Sequence, residues 1–321
     1  MNDDLSIRER VRERSLAGDR EAISVFVNAI RKTYGDEHLV GIFMYGSMLS
    51  QITASSTSFP DFFVITDGYS EIFNHWSHWL TAQAVPPHIF HLRVDDLRHC
   101  KYNLLSLSQF QRETSEQASD IYILGRFGKR VALAWWRDDA CRDQLIDCCH
   151  KAMDAVAGLT LQGMPDEFSE EAFILSCLNI SYEGETRVEA DSKVGKLFAS
   201  EESFYRHVYP ELLRRHLQNN ALAKEYAQGH FRRIDPPWRR RLGREKLALF
   251  LKKSRIRGIL RWPKFLLTVE EWVDIILAKI ERTHNIRIEP SPLQRKHPLI
   301  FGWPHFFRLL KDGVIRPAER K

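Results

Sequence analysis

The stretch that decides the fold is Leu39-Val40-Gly41-Ile42-Phe43-Met44-Tyr45-Gly46-Ser47, followed after thirteen residues by Asp61-Phe62-Phe63-Val64-Ile65-Thr66. Two short apolar runs bounded by turn formers read as neighbouring buried strands, Leu39 to Tyr45 and Phe62 to Thr66. The first ends in Gly-Ser and the second opens on a carboxylate. Gly46 has no side chain to keep the backbone from phosphate oxygens, and the Ser47 hydroxyl with the amides after it can donate to them. Asp61 would then hold a magnesium ion, a hard cation usually bound by one or two carboxylates plus substrate phosphates. The same residues also suit an ordinary strand-to-turn transition. A second acid two residues along would share the face of Asp61, but Phe63 stands there. Asp67 has the right parity but lies about 20 Å further along an extended strand.

Working outward, Ala22, Ile23, Phe26, Val27 and Ile30 recur at helical spacing behind Asp19 as a cap, and Arg8 to Arg14 reads as an exposed helix. Further strands are expected at His88 to Val94, Tyr102 to Leu107, Ile121 to Leu124 and Arg130 to Trp135. The last two would form a hairpin across Gly125 to Lys129. A helix from about Asp143 to Ala157 follows. After Met164-Pro165 the pattern turns helical, with Ser169 as a start, Gly184 as an interruption, and helices over Phe204 to Leu217 and Leu242 to Leu251. Thr268 with Glu271 forms a capping-box pattern before an amphipathic stripe from Val269 to Ile280. The expected organisation is a mixed α/β sheet domain over residues 1–160, a helical domain over 161–230, and a basic amphipathic region over 231–321.

With 321 residues and 44% apolar content the chain can bury a substantial core. No run approaches the 18 or so apolar residues that span a bilayer, and Met1-Asn2-Asp3-Asp4 lacks the layout of a signal peptide, so the expected location is the cytoplasm. Five cysteines, an odd number, point to reduced thiols. Cys141, Cys148, Cys149 and His150 have no standard zinc spacing. Charge is uneven: Arg232 to Lys264 holds thirteen Lys or Arg against Asp235 and Glu245, net +11, leaving the rest of a +5 chain at −6. That asymmetry calls for an anionic partner.

Several motifs occur in the order seen in one family: Tyr45-Gly46-Ser47, Asp61 to Asp67, Trp76-Ser77-His78, Lys101-Tyr102, Ile121 to Arg126 with Lys129, Glu167 to Glu171, and Ser181 to Arg187 with Lys193-Val194. Over roughly residues 40–215 the chain resembles the mitochondrial translocator assembly and maintenance proteins, which are phosphatidate cytidylyltransferases. The resemblance implies a nucleotidyltransferase-like fold. It also implies magnesium-dependent condensation of CTP with phosphatidic acid to CDP-diacylglycerol and pyrophosphate. Gly46, Ser47 and Asp61 match the family's Gly-Ser and strand acid, and Tyr45 precedes them. The family has an apolar residue at the position of Phe63, and commonly a glycine where this chain has Met48. Arg126, Lys129, Arg187 and Lys193 match basic family positions, the first two as nucleotide contacts and the last two as catalytic cations. Asp120 is a further metal-ligand candidate from its position alone.

A phosphate monoester is largely dianionic near neutral pH, so such an acceptor needs positioning and charge neutralisation rather than a strong base. A lipid acceptor also needs a membrane surface. Arg239, Arg240, Arg241, Lys252, Lys253 and Trp262 give the basic segment the composition for docking on anionic lipid, at the inner face of a membrane. A soluble or RNA acceptor, and an inactive membrane or RNA adaptor, are the alternatives.

Overall fold

The computed structural model describes residues 2–17, 21, 23–46, 49, 59–70, 72, 86–95, 98–184, 190–268 and 291. Residues 1–262 and 263–321 are two compact units.

A five-stranded mixed sheet organises the first unit, in the order β3 (His88–Arg93), β4 (His99–Ser106), β2 (Asp61–Thr66), β1 (Leu39–Tyr45), β5 (Ala132–Trp136). β4 and β2 run parallel and the other pairs antiparallel. Alternation assigns the two faces. Ile42, Met44, Phe62 and Val64 face α2 (Ser24–Tyr34), whose Phe26, Val27 and Ile30 close a smaller core. Phe43, Phe63, Ile65 and Leu105 face the main helical layer.

That layer holds α1 (Asn2–Leu16), α3 (Leu107–Glu113), α4 (Ile121–Phe127), α5 (Asp139–Gly163), α6 (Glu170–Glu183), α7 (Ala190–Ser200) and α8 (Glu202–Asn220). Asp138 caps α5 by accepting from the Cys141 N–H, and Ser169 caps α6 by accepting from the Ala172 N–H. One core runs from Phe43 and Phe63 through Leu145 and Val156 on α5 to Phe173, Tyr205 and Tyr209. Cys141, Cys148 and Cys149 are buried along α5, where burial pushes the Cys148 thiol up to about 11. Among the described residues no group of three or more His, Cys, Asp or Glu is placed to hold a metal.

A second sheet, β6 (Glu167–Ser169), β8 (His230–Arg233) and β7 (Ala223–Ala227), is antiparallel and absent from the sequence reading. Its strands are short and carry charged outward residues, so they lack the apolar alternation that marks a strand. Phe168 stacks on Phe231 with ring centroids 5.5 Å apart. The Arg233 guanidinium is buried against Asp235 at 2.7 Å and donates to the Leu161 carbonyl at 2.7 Å.

One expectation fails outright. Residues 121–127 are helix α4, not the first strand of a hairpin, and Asp120 caps that helix by accepting from the Tyr122 N–H. Ile-Tyr-Ile-Leu has strand propensity, but tertiary packing overrides it. A Cβ at Gly125 would lie 2.5 Å from Ser181 Cβ, so the glycine marks close approach of α4 to α6 rather than a turn. Asp19 as a cap and the stripe from Val269 to Ile280 lie outside the described residues.

α9 (Pro237–Thr268) is a 32-residue helix. Its inner face is held by Leu251 in the core, by Gly243 against Gln162, and by Ser254, whose hydroxyl donates to the Gly184 carbonyl at 3.1 Å. On the opposite face Trp238, Leu242, Leu249, Ile256 and Leu260 are exposed. At 100° per residue these five fall within an arc of about 40°. Exposed Arg241 and Lys252 flank the stripe on one side, and exposed Lys246 and Lys253 on the other. Glu245 lies at the edge of the stripe, ion-paired to Arg241 at 2.8 Å. No helix of the described residues is long and apolar enough to cross a membrane.

Candidate active site

The antiparallel register of β1 and β2 places Tyr45 opposite Asp61, so the chain leaves β1 directly beside the carboxylate that opens β2. Gly46 sits there with φ +88°, a conformation that favours glycine. A Cβ on it would come 3.4 Å from Asp61 Oδ2. The missing side chain therefore leaves the space beside the carboxylate open. Asp61 has nearby effects: burial and then the Asp61 charge push the Cys100 thiol up to about 12 and raise the Tyr45 hydroxyl well above its usual range.

Behind this edge lies a polar chain that sequence reasoning did not assemble. The buried Asn103 donates to the Tyr45 hydroxyl at 2.7 Å and accepts from the Tyr122 hydroxyl at 3.3 Å. The Arg126 guanidinium packs over the Tyr122 ring at 3.7 Å and over the Tyr45 ring at 5.9 Å, and donates to the Tyr122 carbonyl at 2.6 Å. Arg261 of α9 lies 4.4 Å from the centroid of the Tyr122 ring. Arg126 thus lies on the Tyr45 side of this edge, and Tyr45 is the residue opposite Asp61. Lys129 is turned toward α6, with its ammonium 2.6 Å from the Ser181 hydroxyl and 3.9 Å from the Tyr182 ring centroid.

Arg130, which the sequence did not single out, anchors the segment after Gly46. Its guanidinium donates to the carbonyls of Leu49 at 3.2 Å and Ala17 at 3.1 Å, and pairs with the buried Glu201 at 2.5 Å.

Asp120 has a different setting from the one expected. Its side chain is 1% exposed and is closed by Arg257 at 2.6 Å and Arg261 at 2.7 Å, besides capping α4. A carboxylate so engaged anchors α9 to α4, and its expected place in a metal set has no support in this geometry. The four-residue spacing of Arg257 and Arg261 was the available signal, since it puts both on one helical face. Asp67, at the far end of β2, pairs with Arg137 at 2.5 Å. Asp61 is the carboxylate beside Gly46, and one carboxylate plus nucleotide phosphates is a ligand set of the kind magnesium takes.

Ser47 and Arg187 lie outside the described residues, as do the side chains of Lys193 and Trp262. Of the remaining cations expected on the surface, Arg239, Arg241, Lys252 and Lys253 are exposed on α9, while Arg240 is drawn inward to Asp166 at 2.9 Å.

Comparison with known proteins gives matches to solved structures and to a family model. Among solved structures, the chain is similar to a nucleotidyltransferase-like protein from Exiguobacterium sibiricum 255-15, with 13% identity, 95% of each chain covered and a TM-score of 0.27. No curated protein matches. Residues 89–245, from within β3 into α9, match the family described as mitochondrial phosphatidate cytidylyltransferase. The match thus begins beyond Asp61 and reaches further toward the C-terminus than the motifs suggested. The ordered motifs from Lys101 to Lys193 lie inside the matched residues, so just under half of the chain is similar to that family.

Proposed function

We propose that the protein is a phosphatidate cytidylyltransferase that works while docked on an anionic membrane surface. One observation carries the lipid assignment. α9 exposes Trp238, Leu242, Leu249, Ile256 and Leu260 between rims of cations, and the same helix reaches Tyr122 beside the Asp61 edge through Arg261. An exposed apolar stripe with flanking Lys and Arg is the signature of a helix lying in a membrane interface.

In the proposed reaction a phosphate oxygen of phosphatidic acid attacks the α-phosphorus of CTP. The new P–O bond gives CDP-diacylglycerol, and the bond to the β-phosphate breaks to release pyrophosphate. The acceptor is already anionic, so no side chain has to remove a proton. Gly46 leaves room for the triphosphate over Asp61, and Arg126, held by Tyr122, offers cationic charge to the phosphates. Magnesium, held by Asp61 and phosphate oxygens, would supply further charge neutralisation. Lys129, Arg187 and Lys193 are proposed to add positive charge around the same anions.

The test is incubation of the pure protein with labelled CTP, magnesium and phosphatidate vesicles. The expected product is a CDP-lipid, and Asp61→Asn should abolish it while leaving the thermal transition in place. No labelled lipid with any divalent ion overturns the proposal, and label transferred to RNA or a soluble acceptor instead selects the rival enzyme.

A further inference from the structure

Strand register extends the Asp61 edge across the sheet. Asp61 is opposite Lys101 on β4, and Lys101 is opposite His91 on β3; two pairs further out, His99 is opposite Arg93. Residues paired in register share a face, so Lys101, His91, His99 and Arg93 lie on the face that carries Asp61, Phe63 and Asn103. Inward, that face is covered: Phe63, Asn103 and Leu105 are buried. Outward the cover ends, with His91 and Arg93 exposed and Lys101 and His99 half-buried. Among the described residues the Lys101 ammonium has no hydrogen-bond or ion-pair partner. Neighbouring strands are about 4.8 Å apart, which puts Lys101 about 5 Å and His91 about 10 Å from Asp61 along the sheet.

We infer that this row is the binding shelf for the phosphomonoester end of the acceptor. The inference rests on the reaction proposed above. In phosphoryl transfer the attacking and leaving oxygens stand roughly in line on opposite sides of phosphorus. The space that Gly46 leaves open puts the departing pyrophosphate on the β1 side of Asp61. The attacking phosphate therefore enters from the β4 side, where Lys101 is the nearest cation and His91, His99 and Arg93 continue the row. Phe59, exposed and with its ring 5.4 Å from that of His99, adds an apolar contact at the rim. α9 passes near the same place at Arg261, which packs on Tyr122, and Tyr122 donates to Asn103, two residues along β4 from Lys101. A lipid held at α9 would present its headgroup to this shelf.

The experiment uses the full chain and two readouts. In turnover, Lys101→Ala should raise the KM for phosphatidate about ten-fold or more while moving the KM for CTP less than about two-fold, and Lys101→Arg should restore most of the loss. Without CTP or metal, calorimetric binding of a short-chain, water-soluble phosphatidate should weaken by a similar factor in Lys101→Ala and in His91→Ala/Arg93→Ala. The paired substitution is at exposed positions and does not touch the core. Glycerol 3-phosphate bound with the same dependence shows that the shelf reads a free phosphomonoester; phosphatidate bound much more tightly shows that the lipid is its source. An unchanged phosphatidate KM in folded Lys101→Ala, or unchanged binding in the paired variant, overturns the shelf. A wild-type chain that makes no CDP-lipid instead overturns the reaction on which it rests.

Discussion

Replacing Asp120 by asparagine isolates what the buried carboxylate does. Asparagine is as good an N-cap as aspartate, so the bond to the Tyr122 N–H survives and only the charge is lost. The two arginines then face an uncompensated site. Removing one member of a buried ion pair costs about 3–5 kcal/mol. The low end applies here, because the Arg257 side chain keeps 20% exposure and Arg261 keeps its bond to the Pro86 carbonyl at 2.9 Å. At roughly 2–4 °C per kcal/mol for a chain of this size, about 3 kcal/mol lowers the melting temperature by about 6–12 °C. Thermal unfolding followed by circular dichroism in EDTA, then in magnesium, measures it. The anchor role requires the full loss in EDTA. A loss below about 2 °C there, or one that appears only when magnesium is present, would refute the reasoning and return Asp120 to the metal set.

Gly46→Ala should cost about 1–2 kcal/mol from its positive φ and cut turnover by a far larger factor, since the methyl group projects toward Asp61; an unchanged kcat/KM removes the triphosphate site. Leu249→Glu, at a position 67% exposed, should leave the melting temperature within about 1 °C yet weaken flotation with anionic vesicles about ten-fold; flotation equal to wild type contradicts the interfacial role of α9. The His216–Asp154 pair links stability to pH. Its hydrogen bond to Asp154 raises the His216 pKa, so that contribution is complete below about 6.5 and is lost as pH rises through the raised folded value. Asp154, which burial pushes up, is nonetheless held below its usual range by His216 and Arg215, so its share is lost only as acid reaches the lowered value. The melting-temperature gap between wild type and His216→Gln should therefore shrink from pH 6 to pH 9, and a gap that widens contradicts the pairing.

The middle of the sheet was legible because β1 and β2 are buried on both faces, and continuous apolar runs such as Leu39 to Tyr45 and Phe62 to Thr66 are what such burial selects. Gly46 and Asp61 were legible for a chemical reason, as a glycine and a carboxylate at adjoining strand ends. Their contact depends on the antiparallel β1–β2 register, which a gap of thirteen residues does not reveal. α4 was misread because seven residues carry too few helical turns to show a period, while Gly125 and Gly128 imitate a hairpin. The Asn103, Tyr122 and Arg261 chain joins a strand, a short helix and the end of a long one. No local pattern links residues so far apart in sequence.

The continuity of the core from the sheet through α5 into α6 and α8 bears on inheritance. Leu145 and Val156 on α5 belong to the same packed mass as Phe43 on β1 and Tyr209 on α8. A fragment cut after α5 would bare the surface that Phe173 and Tyr209 cover. The helical half is thus no cassette that recombination could exchange between transferases. Residues 1–262 form one compact unit, so a substitution on the sheet edge or on α9 has to remain compatible with that whole block.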